Sequence, residues 1–149
     1  MKKYMLLALC LILSFSLILT GCVQRYAYTW QIGDEKIGFD YASAEIFTEE
    51  LNRREHHDLT EEEIGKLSEL WQQSLHLVDG DAPLARAAVP QAGSIRFHIG
   101  DKGEKLFLYN EPAVEGKHYY VLYLEHAKAT VKLYSDEDLV AQTKTILNL

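Results

Sequence analysis

Between Ser94 and Tyr109 the chain reads SIRFHIGDKGEKLFLY. Ile95, Phe97 and Ile99 alternate with Arg96 and His98, a period of two that predicts a strand with one buried face. Asp101 to Glu104 supplies the Gly and Asp of a hairpin turn, and Leu106, Phe107, Leu108 and Tyr109 form the returning strand. Further on, Tyr119 to Leu124 is apolar on both faces, as expected of a central strand. His126 to Ala129 turns the chain again, and Val131 and Leu133 continue it. The expectation is an antiparallel meander from Ser94 to Tyr134.

Helical signals flank this sheet. Thr60-Glu61-Glu62-Glu63 has the form of a capping box, with Leu59 and Ile64 at the hydrophobic-staple positions. Three Glu in the first turn complement the helix dipole. Ile64, Leu67, Trp71, Leu75 and Val78 recur at spacings of three and four, which predicts a helix from Glu61 to about Val78, ended by Asp79-Gly80-Asp81. After the meander, Ser135 is a candidate cap with Asp138 at N3, and Leu139, Val140, Thr143, Ile146 and Leu147 give an apolar face. Nearer the start, Ile32 to Glu35 reads as a turn, and Ile37, Phe39 and Tyr41 as a strand. Ala42 to Glu55 is rich in Glu, Leu, Arg and Ala, a composition that favours helix. Asp79 to Gly93, with Pro83 and Pro90, reads as a long connection. The sum is an α+β fold: an antiparallel β-meander with two or three helices packed on one face.

The 149 residues, 48% hydrophobic and 25% charged, suit one ordinary domain. A net charge of −7 argues against a nucleic-acid partner, whose phosphates need a basic surface. The first residues are of another kind. Met1-Lys2-Lys3 is basic, and Tyr4 to Leu19 is apolar apart from Ser14 and Ser16. That is the layout of an export signal. As a helix the apolar run reaches roughly 24 Å, short of the ~30 Å hydrocarbon core of a bilayer.

The run ends in Leu19-Thr20-Gly21-Cys22, which resembles the lipobox of bacterial lipoproteins at every position. An ordinary signal peptide or an uncleaved anchor is the alternative. The resemblance implies a diacylglyceryl group on the Cys22 sulfur and cleavage between Gly21 and Cys22. Residues 1–21 are then a lipoprotein signal peptide, 22–29 a tether, and 30–149 a single α+β domain. Cleavage removes Lys2 and Lys3 and no carboxylate, so the net charge falls from −7 to −9. It also removes Met1, Met5 and Cys10, and lipid occupies Cys22. Thiol chemistry is then excluded from the domain. Thr60 to Leu77 and Tyr119 to Leu147 are similar in pattern to small uncharacterised lipoproteins of Gram-positive bacteria, a resemblance that implies no activity. The expected setting is the extracytoplasmic face of the cell membrane, held in the lipid bilayer by the acyl anchor.

Candidate chemistry is sparse. His56-His57-Asp58 tempts a metal reading, but adjacent His side chains point apart, and zinc sites draw on spaced ligands. His76, His98, His118 and His126 could converge in space, with His98 and His126 facing each other. Glu49-Glu50, Glu61 to Glu63 and Asp136 to Asp138 supply carboxylate pairs, though two of the three clusters sit at expected helix starts. There is no Gly-x-Ser-x-Gly elbow. Gly100 to Gly103 lacks the spacing of a phosphate loop. Asp79-Gly80-Asp81 lacks the bidentate Glu of a calcium loop. No catalytic residue, metal ligand or cofactor is assigned. The remaining feature is a set of Tyr residues, of which Tyr109, Tyr119, Tyr120 and Tyr123 are a candidate interaction surface, since Tyr combines an apolar ring with a polar tip. The sequence therefore favours a non-catalytic binding module for an envelope protein or polymer. The alternative is a metal-dependent or acid/base hydrolase built on the His and acidic clusters.

Overall fold

A computed structural model describes residues 25–50, 53–80 and 90–149. The expected signal segment, Gly21, Cys22 and the first part of the expected tether lie outside the described residues, as do residues 81–89 of the long connection. Among the described residues the fold is α+β, mostly antiparallel sheet with two helices. The strands are β1 (Tyr28–Ile32), β2 (Glu35–Phe39), β3 (Ala42–Phe47), β4 (Arg54–Asp58), β5 (His76–Leu77), β6 (Ile95–Ile99), β7 (Glu104–Leu108), β8 (His118–Leu124) and β9 (Ala129–Ser135). The helices are α1 (Glu61–Ser74) and α2 (Leu139–Ile146).

Strands β1 and β2 form a hairpin of their own. The other seven make one sheet in the order β4-β3-β6-β7-β8-β9-β5. The expected meander is its centre, β6 through β9, each strand hydrogen-bonded to the next. The register aligns Ile95 with Leu108, Phe97 with Leu106, Leu106 with Leu122 and Tyr120 with Leu133, so these side chains share one face. All of them are buried.

Ala42 to Glu55 is not a helix. It holds β3 and part of β4, which pair antiparallel, and β3 also pairs with β6. Ala42, Ala44 and Ile46 join the buried face, while Ser43, Glu45 and Phe47 take the other. The composition favoured helix, but the apolar positions repeat every second residue, and a strand beside β6 buries all three. Strand β4 reads REHHD and is largely exposed. Such a charged strand suits a sheet edge.

Helix α1 starts where its capping box predicts. The Glu63 amide donates to Thr60 Oγ1 at 3.3 Å, and the Thr60 amide donates to Glu63 Oε2 at 2.8 Å. The helix ends at Ser74, earlier than the spacing suggested. Leu75 turns extended, and His76 and Leu77 pair with Tyr134 and Leu133 of β9. Leu75 is buried in the core and Leu77 packs against it at the sheet edge. The cap of α2 is also shifted. Asp138 Oδ1 accepts from the Val140 and Ala141 amides at 3.0 and 3.2 Å, whereas Ser135 closes β9 and accepts from the Glu137 amide. The first strand takes in residues that the sequence reading assigned to a tether. The Ala27 amide donates to Asp40 Oδ1 at 2.9 Å, β1 opens at Tyr28, and Trp30 is wholly buried.

Trp30 and Trp71 join the layers. Their rings meet edge to face at 6.0 Å, and Phe97 of β6 meets Trp71 at 5.5 Å and Trp30 at 5.9 Å. Trp30 Nε1 donates to the Ile64 carbonyl at 3.1 Å, tying β1 to α1. Aromatic pairs of this kind contribute about 0.5–1.5 kcal/mol each beyond burial. Trp71→Ala is expected to cost about 3–5 kcal/mol. Urea unfolding followed by circular dichroism checks this, and a loss below that range would show that α1 is dispensable to the core.

Candidate functional site

The side of the sheet away from the buried face is defined by the register. Its row through the middle runs His56, Glu45, Arg96, Phe107, Val121 and Lys132, one residue per strand from β4 to β9. A second row runs Asp58, Ser43, His98, Lys105, Tyr123 and Thr130. Tyr119, Tyr134 and His76 stand across β8, β9 and β5. Apart from Ser43, the side chains of this face are half-buried or exposed. At about 4.8 Å per strand spacing, the face from β4 to β9 is roughly 24 Å across.

Glu45 is the hub of this surface. Its Oε2 lies 2.5 Å from Arg96 Nη2, 3.2 Å from His98 Nε2 and 3.5 Å from Arg54 Nη1. The Arg96 guanidinium sits 5.2 Å from the centre of the Phe47 ring and 5.6 Å from that of Phe107, and Arg54 stands 5.0 Å from Phe47. Partial burial alone would raise the Glu45 carboxyl. The close approach of His98 and the hydrogen bonds and charge of Arg96 outweigh it and hold the carboxyl below its usual range. Aromatic side chains line the rest. Phe107 and Tyr109 stack at 6.1 Å, His76 lies 5.3 Å from Tyr134, and Lys117 covers the Tyr134 ring at 4.4 Å. Burial, with the Glu111 charge behind it, pushes the Tyr109 phenol up.

Three of the four Tyr side chains named from sequence, Tyr109, Tyr119 and Tyr123, are in half-buried positions on or beside this face. Tyr120 is not. It is 1% exposed, on the buried face, and its hydroxyl accepts from the Leu139 amide at 3.1 Å at the start of α2. The correction follows from the pleat, since neighbours along a strand point to opposite faces. Burial raises its phenol well above the ordinary value, so Tyr120 is a neutral core group.

The histidines scatter. His56 pairs with Asp58 at 2.9 Å on the open face, and His57, one residue on, turns inward to Glu63 at 2.9 Å. His98 joins Glu45, whereas His126 Nδ1 meets Glu104 Oε1 at 2.9 Å in a different place. His98 and His126 therefore do not face each other. Among the described residues no three His, Cys, Asp or Glu side chains gather as a metal ion requires. Of the acidic clusters, Glu63 and Asp138 serve as helix-capping groups. Burial opposes ionisation of Glu63, but the Thr60 amide, His57 and the Thr60 hydroxyl prevail and lower its pKa.

A second concavity, invisible in the sequence, lies between the β1–β2 hairpin and the turns that follow β6 and β8. It has a volume of about 360 Å³. Glu104 and His126 form one wall, and Tyr26 and Lys102 another.

Glu45 and Glu63 both have folded-state pKa values below the ordinary carboxylate value of 4.5. Their stabilisation is complete above that value and is lost as pH falls through the lower folded-state values. Glu63→Gln keeps an oxygen for the Thr60 amide but loses the charge that faces His57, and is thus expected to cost about 1 kcal/mol at pH 7, the difference between a hydrogen bond to a charged and to a neutral acceptor, with the gap to the parent closing towards pH 3. Urea midpoints measured from pH 7 to pH 3 test this, and a gap independent of pH would refute it.

Comparison of the chain with protein-family models, curated proteins and solved structures finds no match.

Proposed function

We propose that the chain is a lipid-anchored protein on the extracytoplasmic side of the cell membrane. It acts there as a non-catalytic binding module. The open face of the seven-stranded sheet takes an envelope protein or polymer, and the two helices with the β1–β2 hairpin cover the opposite face.

The anchor rests on Leu19-Thr20-Gly21-Cys22 after a basic start and an apolar run. Two acyl chains, at about 0.8 kcal/mol per buried CH₂, hold a protein stably where one does not. Among the described residues no helix is long and apolar enough to cross a membrane. The packing of Trp71 on Phe97, and of Leu139 against the Tyr120 hydroxyl, supports a covering layer on the buried face.

The single observation that carries the binding role is the composition of the uncovered face. Arg54, Arg96, Lys105 and Lys132 point to it against Glu45 and Asp58, on a chain with an overall acid excess. Phe47, Phe107, Tyr109, Tyr119 and Tyr134 lie among them. Aromatic residues and Arg are the types enriched in contact surfaces. The Glu45 hub fixes the Arg96 fork between its two rings, so the centre of the surface is ordered before any partner arrives.

Two measurements test this. Cys22→Ser is expected to shift the protein from the membrane to the soluble fraction of the native host, and unchanged retention would remove the anchor. A photo-crosslinking residue at position 119 should give a discrete adduct in intact cells, while one at position 66 on α1 should give none. Equal patterns at the two positions would remove the open face as the contact surface.

A further inference from the structure

The concavity beside the β1–β2 hairpin is a built site. Tyr26 lies flat over Gly38, where any Cβ would collide with its ring. Lys102 Nζ stands 4.8 Å from the centre of that ring. Glu104 is 4% exposed, and one of its oxygens holds His126 while the other, Oε2, is shielded and has no hydrogen-bond partner. An unpaired buried acceptor of this kind is costly to fold around unless a donor meets it. Lys36 and Glu35 complete the charged lining. Ile37 and Leu124 give an apolar floor. The site thus offers two ammonium groups for an anion and two carboxylates for a cation, beside an aromatic ring.

Its position in the chain says where it faces. Tyr26 is four peptide links after Cys22. At 3.8 Å per link the two residues are at most roughly 15 Å apart. If Cys22 carries the acyl chains, this wall of the concavity stands within reach of the headgroup layer, the level at which Tyr rings settle.

We propose that this concavity takes a phospholipid headgroup that carries an ammonium group beside its phosphate, and so fixes the orientation of the domain on the membrane. The inference rests on the lipid-anchor reading given above. Lys36 and Lys102 meet the phosphate, and Glu104 and Glu35 meet the ammonium. A headgroup with phosphate alone leaves the second Glu104 oxygen without a donor, in a protein whose acid excess already opposes anionic surfaces.

The test uses the full-length protein in detergent, titrated with O-phosphoethanolamine and, separately, with glycerol 1-phosphate. Amide resonances of Lys102 and His126 are followed by NMR. O-phosphoethanolamine is expected to shift both resonances saturably, at a concentration at least tenfold lower than glycerol 1-phosphate. Lys36→Gln and Lys102→Gln, both at the surface, should each raise the half-saturating concentration at least tenfold, and Gly38→Ala should do the same by displacing Tyr26. No saturable shift, an equal response to the two compounds, or indifference to the lysine variants would each overturn the proposal. A second arm places the protein in phosphatidylethanolamine vesicles and in phosphatidylglycerol vesicles and measures hydrogen exchange at 35–38. Slower exchange in the first is expected. A soluble response without that protection would assign the site to a free aminophosphate and overturn the headgroup. Titration in detergent does not need the anchor, whereas fractionation of Cys22→Ser does not need the concavity, so the two failures are distinguishable.

Discussion

The chain leaves the large sheet at one edge, through β4, and returns to it at the other, as β5. Helix α1 makes that journey, and the edge-on contact of Trp71 with Phe97 is where it is pinned. Nearly everything else depends on this crossing. It gives Ile64 and Leu67 a core to fill, and it offers the Ile64 carbonyl to Trp30 of the hairpin. It also explains why a box at Thr60 is reinforced by His57. Glu63 accepts from Thr60 on one side and meets His57 on the other, so the exit from β4 and the entry to α1 share one carboxylate. The direction of the helix is fixed at its first turn.

Alternation along the strands then separates two environments. One face holds Phe97, Leu106, Tyr120, Leu122 and Leu133 out of water. The other cannot be a second core, because Arg96, His98, Lys105 and Lys132 occupy it. Its polar centre is gathered on one carboxylate. One carboxylate oxygen of Glu45 draws in two guanidinium groups and an imidazole, and the Arg96 plane is held between two aromatic rings. The surface is therefore stiff where a long cationic side chain would otherwise wander at an entropic cost.

Much of this fold is legible in sequence where a single physical rule dominates. Ile95, Phe97 and Ile99 announce their strand because one face is apolar and the other charged. Thr60 to Glu63 announces a helix start because a cap is a local event. Legibility fails where tertiary contact decides. Ala42 to Glu55 looks helical by composition, and its strands are fixed only by β6 beside them. Leu75 and Val78 continue a helical rhythm past the end of the helix, where the chain is already extended and joined to β9. Tyr119 and Tyr120 are alike in sequence and opposite in fate. The concavity was out of reach altogether. Tyr26, Lys36, Lys102, Glu104 and His126 come from four separate segments, and no spacing along the chain foretells their meeting. The Glu45 hub was hidden for the same reason, inside a segment whose composition pointed to helix.

The two margins of the sheet carry a consequence for behaviour at high density. A long apolar margin invites a neighbouring molecule to add a strand, and the next to add another. Here one margin is REHHD, bristling with side chains of both signs, and the other is only His76 and Leu77. Neither serves as a template for runaway polymerisation. Molecules held at high local concentration, where encounters are frequent, are under the greatest pressure to avoid that fate. The blunt margins let such a population stay crowded and still separate.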